Sequence, residues 1–312
     1  MPILILGDSD DLHYSQVRDL LVSYGGDVLE WGAYETFGQP SLSISSNSAP
    51  AFQLGNRRLG PNSITAMYNR LKPVFFAEPS HTWEYVSRER KMLVSAIRLL
   101  MTPDCRCVND FYSQVIAENK ALQLDFARRV GLAIPPTLIT NDPEEAMNFC
   151  QGQRSIFKAL TWLGQPDGRS LLTTLIEPDD IQQNPEELKA APCIFQHYIE
   201  KDHELRVTCV GRQLFPAKIV SQESADTLVD WRKSIQDCKF DRVELPTDIK
   251  RRLLALVESM KLNFAAIDMI VDTNGSYLFL ELNPQGNWLW LEQMLDLPIS
   301  KSIADLLRGF AP

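Results

Sequence analysis

The first part of the chain alternates a hydrophobic run, an amphipathic segment and a second hydrophobic run. Residues 3–6 are continuously apolar, residues 12–24 carry apolar side chains at helical spacing, and residues 28–31 resume an extended pattern. Gly25-Gly26 marks the end of the predicted helix, since glycine favours the backbone conformation that closes helices. The order strand, helix, strand predicts a parallel α/β layer. Residues 38–62, rich in Gly, Pro, Ser and Asn, predict short strands and turns.

Helical and extended patterns alternate through the rest of the chain. A helix is predicted after a cap at Asn141 or Asp142. The other predicted helices cover residues 83–101, stopped by Thr102-Pro103, then 113–130, ended by Gly131, and finally 248–260 and 299–307. The predicted strands cover residues 133–140, 156–160, 171–176, 193–199, 205–210 and 213–220, the last two joined by a turn at Gly211.

The end of the chain carries the most informative pattern. Two runs rich in β-branched and aromatic residues flank Asn274-Gly275, a strong signal for a β-hairpin. Asp268 precedes Glu281 by 13 positions, and Asn283 follows two positions later, on the same face of its strand. We therefore expect the hairpin to bring three side chains with oxygen ligands together.

Carboxylate and amide oxygens suit Mg²⁺ that bridges nucleotide phosphates, whereas zinc prefers His and Cys. An ordinary hairpin with scattered surface acids is the alternative, and spacing alone does not decide between the two. The four histidines form no i,i+4 pair, and Cys105 and Cys107 have no second cysteine pair beside them, so a zinc site is not predicted.

The composition narrows the class of protein. The chain has 312 residues, of which 45% are hydrophobic and 23% charged, enough for two or three packed domains. A net charge of −9 argues against a broad nucleic-acid-binding face. No apolar run approaches the roughly 20 residues that span a bilayer, and the N-terminus lacks the basic segment of a signal peptide. The six cysteines favour free thiols in a reducing cytoplasm.

Three features upstream of the hairpin add to its chemistry. Lys120, on a predicted helix, and Lys158, on a predicted strand, each offer a point charge to phosphate. A turn at 164–170 contains glycines that let backbone N–H groups approach phosphate. The segment 195–199, followed by Glu204, can offer backbone groups to an adenine edge. Each feature alone is common, but their order favours an ATP site.

This order resembles the ATP-grasp carboxylate–amine ligases, and among them the ligases that macrocyclise graspetides, such as the microviridin ligases. The tail N-P-x-G-x-W-L-W-x-E and the D-W-R motif are its specific parts, whereas the acid hairpin is shared by the whole superfamily. The resemblance covers residues 109–312 and is loose over 1–108. The residues that carry it are Asn119-Lys120, Gln123-Leu124, 131–141, Phe195-Gln196, 204–207, Ser221-Gln222, Asp230-Trp231-Arg232 and 279–292.

The resemblance implies an α/β protein with an ATP-grasp fold, in which two α/β lobes clasp ATP behind a small parallel α/β domain. It implies an N-terminal domain at 1–108, a central lobe at 109–195 and a C-terminal lobe with the metal hairpin at 196–312. The implied cofactors are ATP and Mg²⁺.

The resemblance also implies roles for single residues. Lys120 and Lys158 are expected to bind the nucleotide phosphates, and Glu204 the ribose, with Glu200 as a competitor. The expected adenine hinge consists of Gln196, His197, Tyr198 and Ile199. The expected Mg²⁺ ligands are Asp268, Glu281 and Asn283. The candidates to stabilise an acyl phosphate and the developing oxyanion are Arg206, Arg232 and Lys218.

Two departures from the family pattern affect these roles. Many ATP-grasp ligases carry an arginine just before the first metal acid, whereas this chain has Ala265-Ala266-Ile267, which favours Arg206 as the arginine that serves. His197 stands where relatives carry an acidic hinge residue, although its backbone can still bind adenine. Lys218 is almost as well explained as a solvated strand lysine.

Other features leave alternatives open. The acidic segment 177–188 is explained by a solvated loop and helix, or by part of a docking groove for a leader peptide. Trp288 and Trp290, at a spacing of two, would share a face and either pack in the core or shape the substrate pocket. The leading-domain residues left open for substrate binding are Asp8, Asp10, Asp11 and Arg70.

The expected function is an ATP-dependent ligase that installs side-chain ester or amide macrocycles in a ribosomal precursor peptide through an acyl phosphate. The expected partner is that precursor, leader plus core, and the resemblance admits a homodimer; neither nucleic acid nor a membrane is an expected partner. One alternative is a ligase that joins an amino acid to a small molecule or a protein terminus. The other is a peptide-binding homologue without enzymatic activity.

Overall fold

The computed structural model describes residues 2–7, 10–32, 41–71, 89, 92, 94–160, 173–222 and 227–310. The helices in these ranges are α1 (Leu12–Ser23), α2 (Phe111–Ala117), α3 (Lys120–Arg129), α4 (Pro143–Cys150), α5 (Pro178–Gln183), α6 (Pro185–Ala190), α7 (Thr247–Ser259), α8 (Leu289–Leu295) and α9 (Ile299–Arg308). Short 3-10 turns occur at Ile97–Leu100, Trp231–Lys233 and Ile235–Asp237. None of the helices within these ranges has the length and apolar character needed to cross a bilayer.

The strands in chain order are β1 (Ile3–Leu6), β2 (Val28–Trp31), β3 (Ser41–Ser45), β4 (Ser48–Leu54), β5 (Arg57–Leu59), β6 (Ile64–Asn69), β7 (Met101–Val108), β8 (Thr137–Thr140), β9 (Ser155–Lys158), β10 (Thr174–Ile176), β11 (Cys193–His197), β12 (Lys201–Val210), β13 (Gln213–Val220), β14 (Lys239–Arg242), β15 (Phe264–Asp272) and β16 (Tyr277–Asn283).

A parallel sheet with the order β2-β1-β6-β7 forms the N-terminal part of the fold. All four residues of the inner strand β1 are buried, as its continuous apolar run predicts. The Asp11 carboxylate caps α1 by accepting a hydrogen bond from the backbone N–H of His13. The predicted strand, helix, strand order is confirmed, and β3, β4 and β5 form the predicted short strands.

The structure tests the two predicted helices that precede the central sheet. Residues 83–88 lie outside the described ranges, and the described part ends at Ile97–Leu100, after which β7 runs through Thr102-Pro103. The helical segment therefore ends just before Thr102-Pro103, as predicted, and β7 is an edge strand, where proline is tolerated. The helix predicted over 113–130 is split into α2 and α3, since Asp110 and Asn119 each cap a new helix.

The central sheet has the antiparallel order β10-β9-β11-β8. Helix α4 packs against it and begins as predicted, because Asp142 accepts hydrogen bonds from the N–H groups of Glu144 and Glu145 and Pro143 occupies its first turn. The buried side chains between helix and sheet include Ala146 and Phe195.

The C-terminal sheet is antiparallel, with the order β14-β13-β12-β15-β16. The predicted hairpins, β12–β13 at Gly211 and β15–β16 at Asn274-Gly275, are both confirmed. One face of this sheet packs on α3 and α7, and the other packs on α9 and the N-terminal sheet. Fully buried side chains such as Leu256 and Ile303 each contribute about 1.5–3 kcal/mol to this packing.

The tryptophan pair after the hairpin does not share one face, contrary to the prediction. Trp288 is the residue before α8, so helical rather than strand geometry separates the two indoles. Trp288 is fully buried against His13, with ring centroids 5.1 Å apart, whereas Trp290 packs on Trp231 at 5.4 Å. Both indoles therefore belong to the packing between elements.

Candidate functional site

The β15–β16 hairpin aligns its two acids. Asp268 and Glu281 are direct register partners, so their side chains share a face of the sheet, and a bulge follows Asp268. Asn283 pairs with Ala266 on that same face, and its Nδ2 lies 3.5 Å from Asp268 Oδ2. Both carboxylates keep 17% of their side-chain surface exposed. They are therefore close together and still open to a ligand.

Arg206 contacts the first of these acids from the neighbouring strand. It is the register partner of Asp268 across β12–β15, and its Nη1 lies 2.8 Å from both carboxylate oxygens. Its Nη2 donates to the backbone carbonyl of Asn287 at 3.2 Å. A Cβ on Gly286 would lie 2.3 Å from the Ala266 methyl carbon and 2.8 Å from Arg206 Nη2, so only glycine fits between them.

Helix α3 holds a lysine against the second acid. The Gln123 side chain donates to the Leu282 carbonyl at 2.7 Å and accepts from the Leu282 N–H at 2.9 Å, which attaches α3 to β16. One turn earlier, Lys120 Nζ lies 3.2 Å from Glu281 Oε2 and 3.3 Å from the Ala159 carbonyl. Sequence reasoning gave Gln123 no role, although its i+3 spacing from Lys120 signals a shared helix face.

The central sheet contributes Lys158. Its Nζ donates to Gln196 Oε1 at 3.1 Å, and Gln196 Nε2 donates to the Thr137 hydroxyl at 2.8 Å. Gln196 pairs in register with Ile156, so Lys158 is its diagonal neighbour on the adjacent strand. Three strands of the central sheet thereby fix the lysine.

The predicted hinge segment leaves the central sheet next to Lys158. The N–H of His197 donates to the Pro136 carbonyl at 3.0 Å, and that of Tyr198 to the Arg154 carbonyl at 2.8 Å. The His197 ring packs on Phe149 with centroids 4.4 Å apart. Ile199 follows in the connection to β12. The histidine that departs from the family pattern thus packs against α4.

Arg232 reaches the site from a 3-10 turn. Asp230 accepts from Arg232 Nε at 2.8 Å and from Nη2 at 2.7 Å, a bidentate pair. Asp230 also accepts from the Thr173 backbone N–H at 3.4 Å, across from the central sheet. Arg232 Nη1 lies 3.9 Å from Glu281 Oε1, and its side chain is 46% exposed. Asp230 is a positioning residue that sequence reasoning missed, although the D-W-R motif contained it.

The surrounding charges shift the pKa values of the site. Burial raises the pKa of Asp268, and the charge of Arg206 opposes this rise. Burial acts on Glu281 in the same direction, but the charges of Lys120 and Lys158 outweigh it and lower its pKa to about 2. Burial lowers the pKa of Lys158, which Glu281 partly offsets. Glu281 is therefore ionised at neutral pH.

Two residues predicted for the site, Glu204 and Lys218, have side-chain partners other than the acids of the hairpin. Glu204 is buried, accepting from Lys201 Nζ at 2.7 Å and from the Ser221 hydroxyl at 2.9 Å. Lys218 is the register partner of Leu205, so it lies on the opposite face of the sheet from Arg206 and near Asp202, at 3.8 Å. The structure does not bring Lys218 to the acid hairpin.

The remaining candidate residues differ in whether the structure describes them and in how exposed they are. The predicted glycine turn at 164–170 and Asp8 lie outside the described residues. Asp10 is exposed, whereas Asp11 and Arg70 form a buried ion pair of 2.9 Å. The acidic segment forms α5 and α6, whose first turns carry exposed acids.

The side chains at the hairpin fit a hard divalent cation. Within the described ranges no group of three or more His, Cys, Asp or Glu side chains forms a complete metal cage. The hairpin instead offers two carboxylates and one amide. Mg²⁺ is bound in this manner, because it is held by one or two carboxylates together with substrate phosphates. The cations Lys120 and Lys158 are located where such phosphates would need compensation.

Comparison with known proteins adds relatives of known structure. The sequence matches no protein-family model and no curated protein. The macrocyclase MdnC of Microcystis aeruginosa MRC, bound with the precursor peptide MdnA, is similar with a TM-score of 0.85 and 28% identity, over 99% of this chain and 100% of its own. A RiPP-associated ATP-grasp ligase of Chryseobacterium gregarium, in complex with ADP and a leader and core peptide, gives 0.86 and 27% over 100% and 97%.

A more distant structure has the same fold. The ATP-grasp ligase PsnB, complexed with a minimal precursor, Mg and ADP, gives a TM-score of 0.77 over 98% of this chain and 96% of its own. Its identity of 21% supports the fold alone. The fold of this chain is thus shared with these proteins along nearly its full length.

Proposed function

We propose that this chain, an ATP-dependent ligase with the ATP-grasp fold predicted from its sequence, closes ester or amide rings between side chains of a ribosomal precursor peptide. The similarity to MdnC and to the Chryseobacterium ligase, both structures containing peptides, supports this substrate class. One observation carries the proposal. Cations from the central sheet, α3 and the 3-10 turn converge on the aligned pair Asp268 and Glu281.

The convergence suits phosphoryl transfer from ATP. Lys120 and Lys158 would bind the phosphates, and the hinge of Gln196 to Ile199 would bind adenine. The N–H groups of His197 and Tyr198 already donate within the fold, so adenine would meet carbonyls of this segment or the Ile199 N–H. Asp268, Glu281 and Asn283 would hold Mg²⁺, which neutralises phosphate charge when bound.

The reaction needs no protein nucleophile. An Asp or Glu carboxylate of the peptide takes the γ-phosphoryl group, and ADP leaves. A Ser or Thr hydroxyl, or a Lys amine, then attacks the acyl carbon, the phosphate leaves, and the nucleophile loses its proton. Each ring therefore removes one molecule of water from the peptide. The protein contributes positioning and charge stabilisation.

The two arginines at the hairpin would have different tasks. Arg232 is 46% exposed and held in a fixed orientation by Asp230, so it would contact the acyl phosphate and the developing oxyanion. Arg206 is only 9% exposed and its Nη1 contacts both oxygens of Asp268, so it would fix the metal ligand. Lys218 faces away, and we assign it no contact with substrate. Glu204 remains our candidate for the ribose contact. It would use Oε2, because Lys201 and Ser221 both donate to Oε1.

The peptide would dock beside the central sheet. Helices α5 and α6 expose Asp179, Glu186 and Glu187 at their first turns, which would complement an arginine in a leader peptide.

The six cysteines are free, in agreement with action in a reducing cytoplasm. We expect a homodimer, measurable by light scattering during gel filtration.

The test uses short peptides rich in Ser/Thr and Asp/Glu that are encoded next to this protein. Incubation with ATP and Mg²⁺ should lower the peptide mass by one water per ring, and tandem mass spectrometry should locate each ring. Glu281→Gln should abolish the change, whereas Lys218→Ala should not. A rise in mass would instead indicate ligation of a separate amino acid, and an unchanged mass with every such peptide would refute the proposal.

A further inference from the structure

A buried ion pair links two distant parts of the N-terminal domain. Asp11, at the start of α1, and Arg70, directly after β6, are 59 positions apart in sequence and have side chains only 4% and 2% exposed. Asp11 Oδ2 accepts from Arg70 Nε at 3.1 Å and from Nη2 at 2.9 Å. At this depth neither side chain offers surface for a peptide substrate, which points to a role within the fold.

Arg70 also reaches across to the C-terminal lobe. Its Nη1 donates to the Gln285 carbonyl at 2.8 Å, and its Nη2 lies 3.4 Å from the Asn287 side-chain oxygen. Both acceptors belong to the segment 284–288, which directly follows the Mg²⁺ ligand Asn283. The N-terminal domain therefore grips the chain where it leaves the acid hairpin.

The same segment contacts the arginine of the site. The Asn287 carbonyl accepts from Arg206 Nη2 at 3.2 Å, while Arg206 Nη1 holds both oxygens of Asp268 at 2.8 Å. Asn109 adds a second anchor by donating to the Pro284 carbonyl at 2.8 Å. Contacts thus run without interruption from Arg70 through Asn287 and Arg206 to Asp268.

We propose that Arg70, oriented by Asp11, is a positioning residue for the metal hairpin: it fixes segment 284–288 and so holds Arg206 and Asp268 in the geometry that binds Mg²⁺ with nucleotide. This role rests on the proposed function only in assigning Mg²⁺ to Asp268. An ion pair present for stability alone gains little over apolar packing at the same depth. The planar fork of arginine, by contrast, can hold a carboxylate and a carbonyl at once.

The test compares nucleotide binding with and without the metal. Arg70→Lys keeps the charge but replaces the fork by one nitrogen, which cannot reproduce the contacts that three separate guanidinium nitrogens make with Asp11 and Gln285. The double variant Asp11→Asn/Arg70→Met removes both charges, so no unpaired buried charge threatens folding. Arg57→Ala is the matched control, since Arg57 pairs with Asp27 at the surface of the same domain.

Calorimetric titration with ADP is performed in EDTA and in Mg²⁺. We expect both Arg70 variants to bind ADP in EDTA like the unaltered protein, and to need about tenfold to a hundredfold more Mg²⁺ for the metal-dependent gain in affinity, as for other residues that orient metal ligands. Arg57→Ala should match the unaltered protein in both conditions.

The result separates the alternatives. Unchanged Mg²⁺ dependence in the folded variants would overturn the role of Arg70, as would an equal loss of affinity in both conditions, which indicates general damage. Because no peptide is used, a failure of ring closure with every precursor would refute the proposed function and leave this measurement valid.

Discussion

Replacing Arg206 with methionine tests whether it holds the metal hairpin. The change removes the donors 2.8 Å from both Asp268 oxygens and leaves that carboxylate at 17% exposure beside Glu281. Burial already raises the pKa of Asp268 even with Arg206 present, so the carboxylate depends on its partner. Breaking one side of a buried ion pair costs about 3–5 kcal/mol.

The double variant Arg206→Met/Asp268→Asn isolates the pair. It leaves no unpaired charge in this position, so it should recover much of the stability lost by Arg206→Met. We expect a coupling energy of about 2 kcal/mol or more between the two positions, within the range for directly contacting residues. The Lys218→Met variant is the matched control, because Lys218 lies on the other face of the same sheet and is half-buried near an exposed acid.

Urea denaturation without Mg²⁺, followed by tryptophan fluorescence, gives the change in unfolding free energy. A loss below about 1 kcal/mol for Arg206→Met, the value typical of an exposed pair, would refute the reasoning. Strict additivity of the two single changes would refute it as well, because it would mean that the side chains do not interact.

Three further predictions follow from the site. Gly286→Ala should destabilise the protein by about 1–3 kcal/mol, because the added carbon overpacks the site. Gly60→Ala, whose added carbon has no atom within 4 Å, should not destabilise it, and thermal unfolding distinguishes the two variants. Asp230→Asn should lower kcat for ring closure with little change in the Kd for ADP, because Arg232 loses its bidentate hold; an unchanged kcat would contradict this. Burial lowers the pKa of Lys158 from 10.5, so Lys158 should lose its charge, and ADP its affinity, as the pH rises towards that value. Lys158→Arg stays protonated and should remove this fall in a calorimetric pH series.

The local pattern alone predicted several parts of the site. The Asn274-Gly275 turn predicted the hairpin, and the period of two put Glu281 and Asn283 on one face of its second strand. The turn register alone would pair Asp268 with Leu280, and the bulge after Asp268 is what brings it opposite Glu281. The helix pattern put Lys120 on a helix, and the family resemblance implied its place at the phosphates. The pattern missed the break before Lys120, because it did not reveal that Asp110 and Asn119 each cap a separate helix.

Contacts between distant segments decided the rest. Arg206 and Lys218 were both candidates in sequence, with Arg206 favoured. The β12–β13 register turns them to opposite faces, and that register is set by which side chains the core accepts. The spacing of Trp288 and Trp290 predicted a shared face, whereas the structure begins a helix at Leu289 and packs the two indoles against different partners, His13 and Trp231.

The sequence by itself determined the hairpin, its acids and their chemistry, because these depend on neighbours within a few residues. Only the tertiary structure decided that Arg70 pairs with Asp11 and reaches Gln285, 215 positions away. No periodicity carries that information, because a buried charge finds its partner by the packing of whole domains.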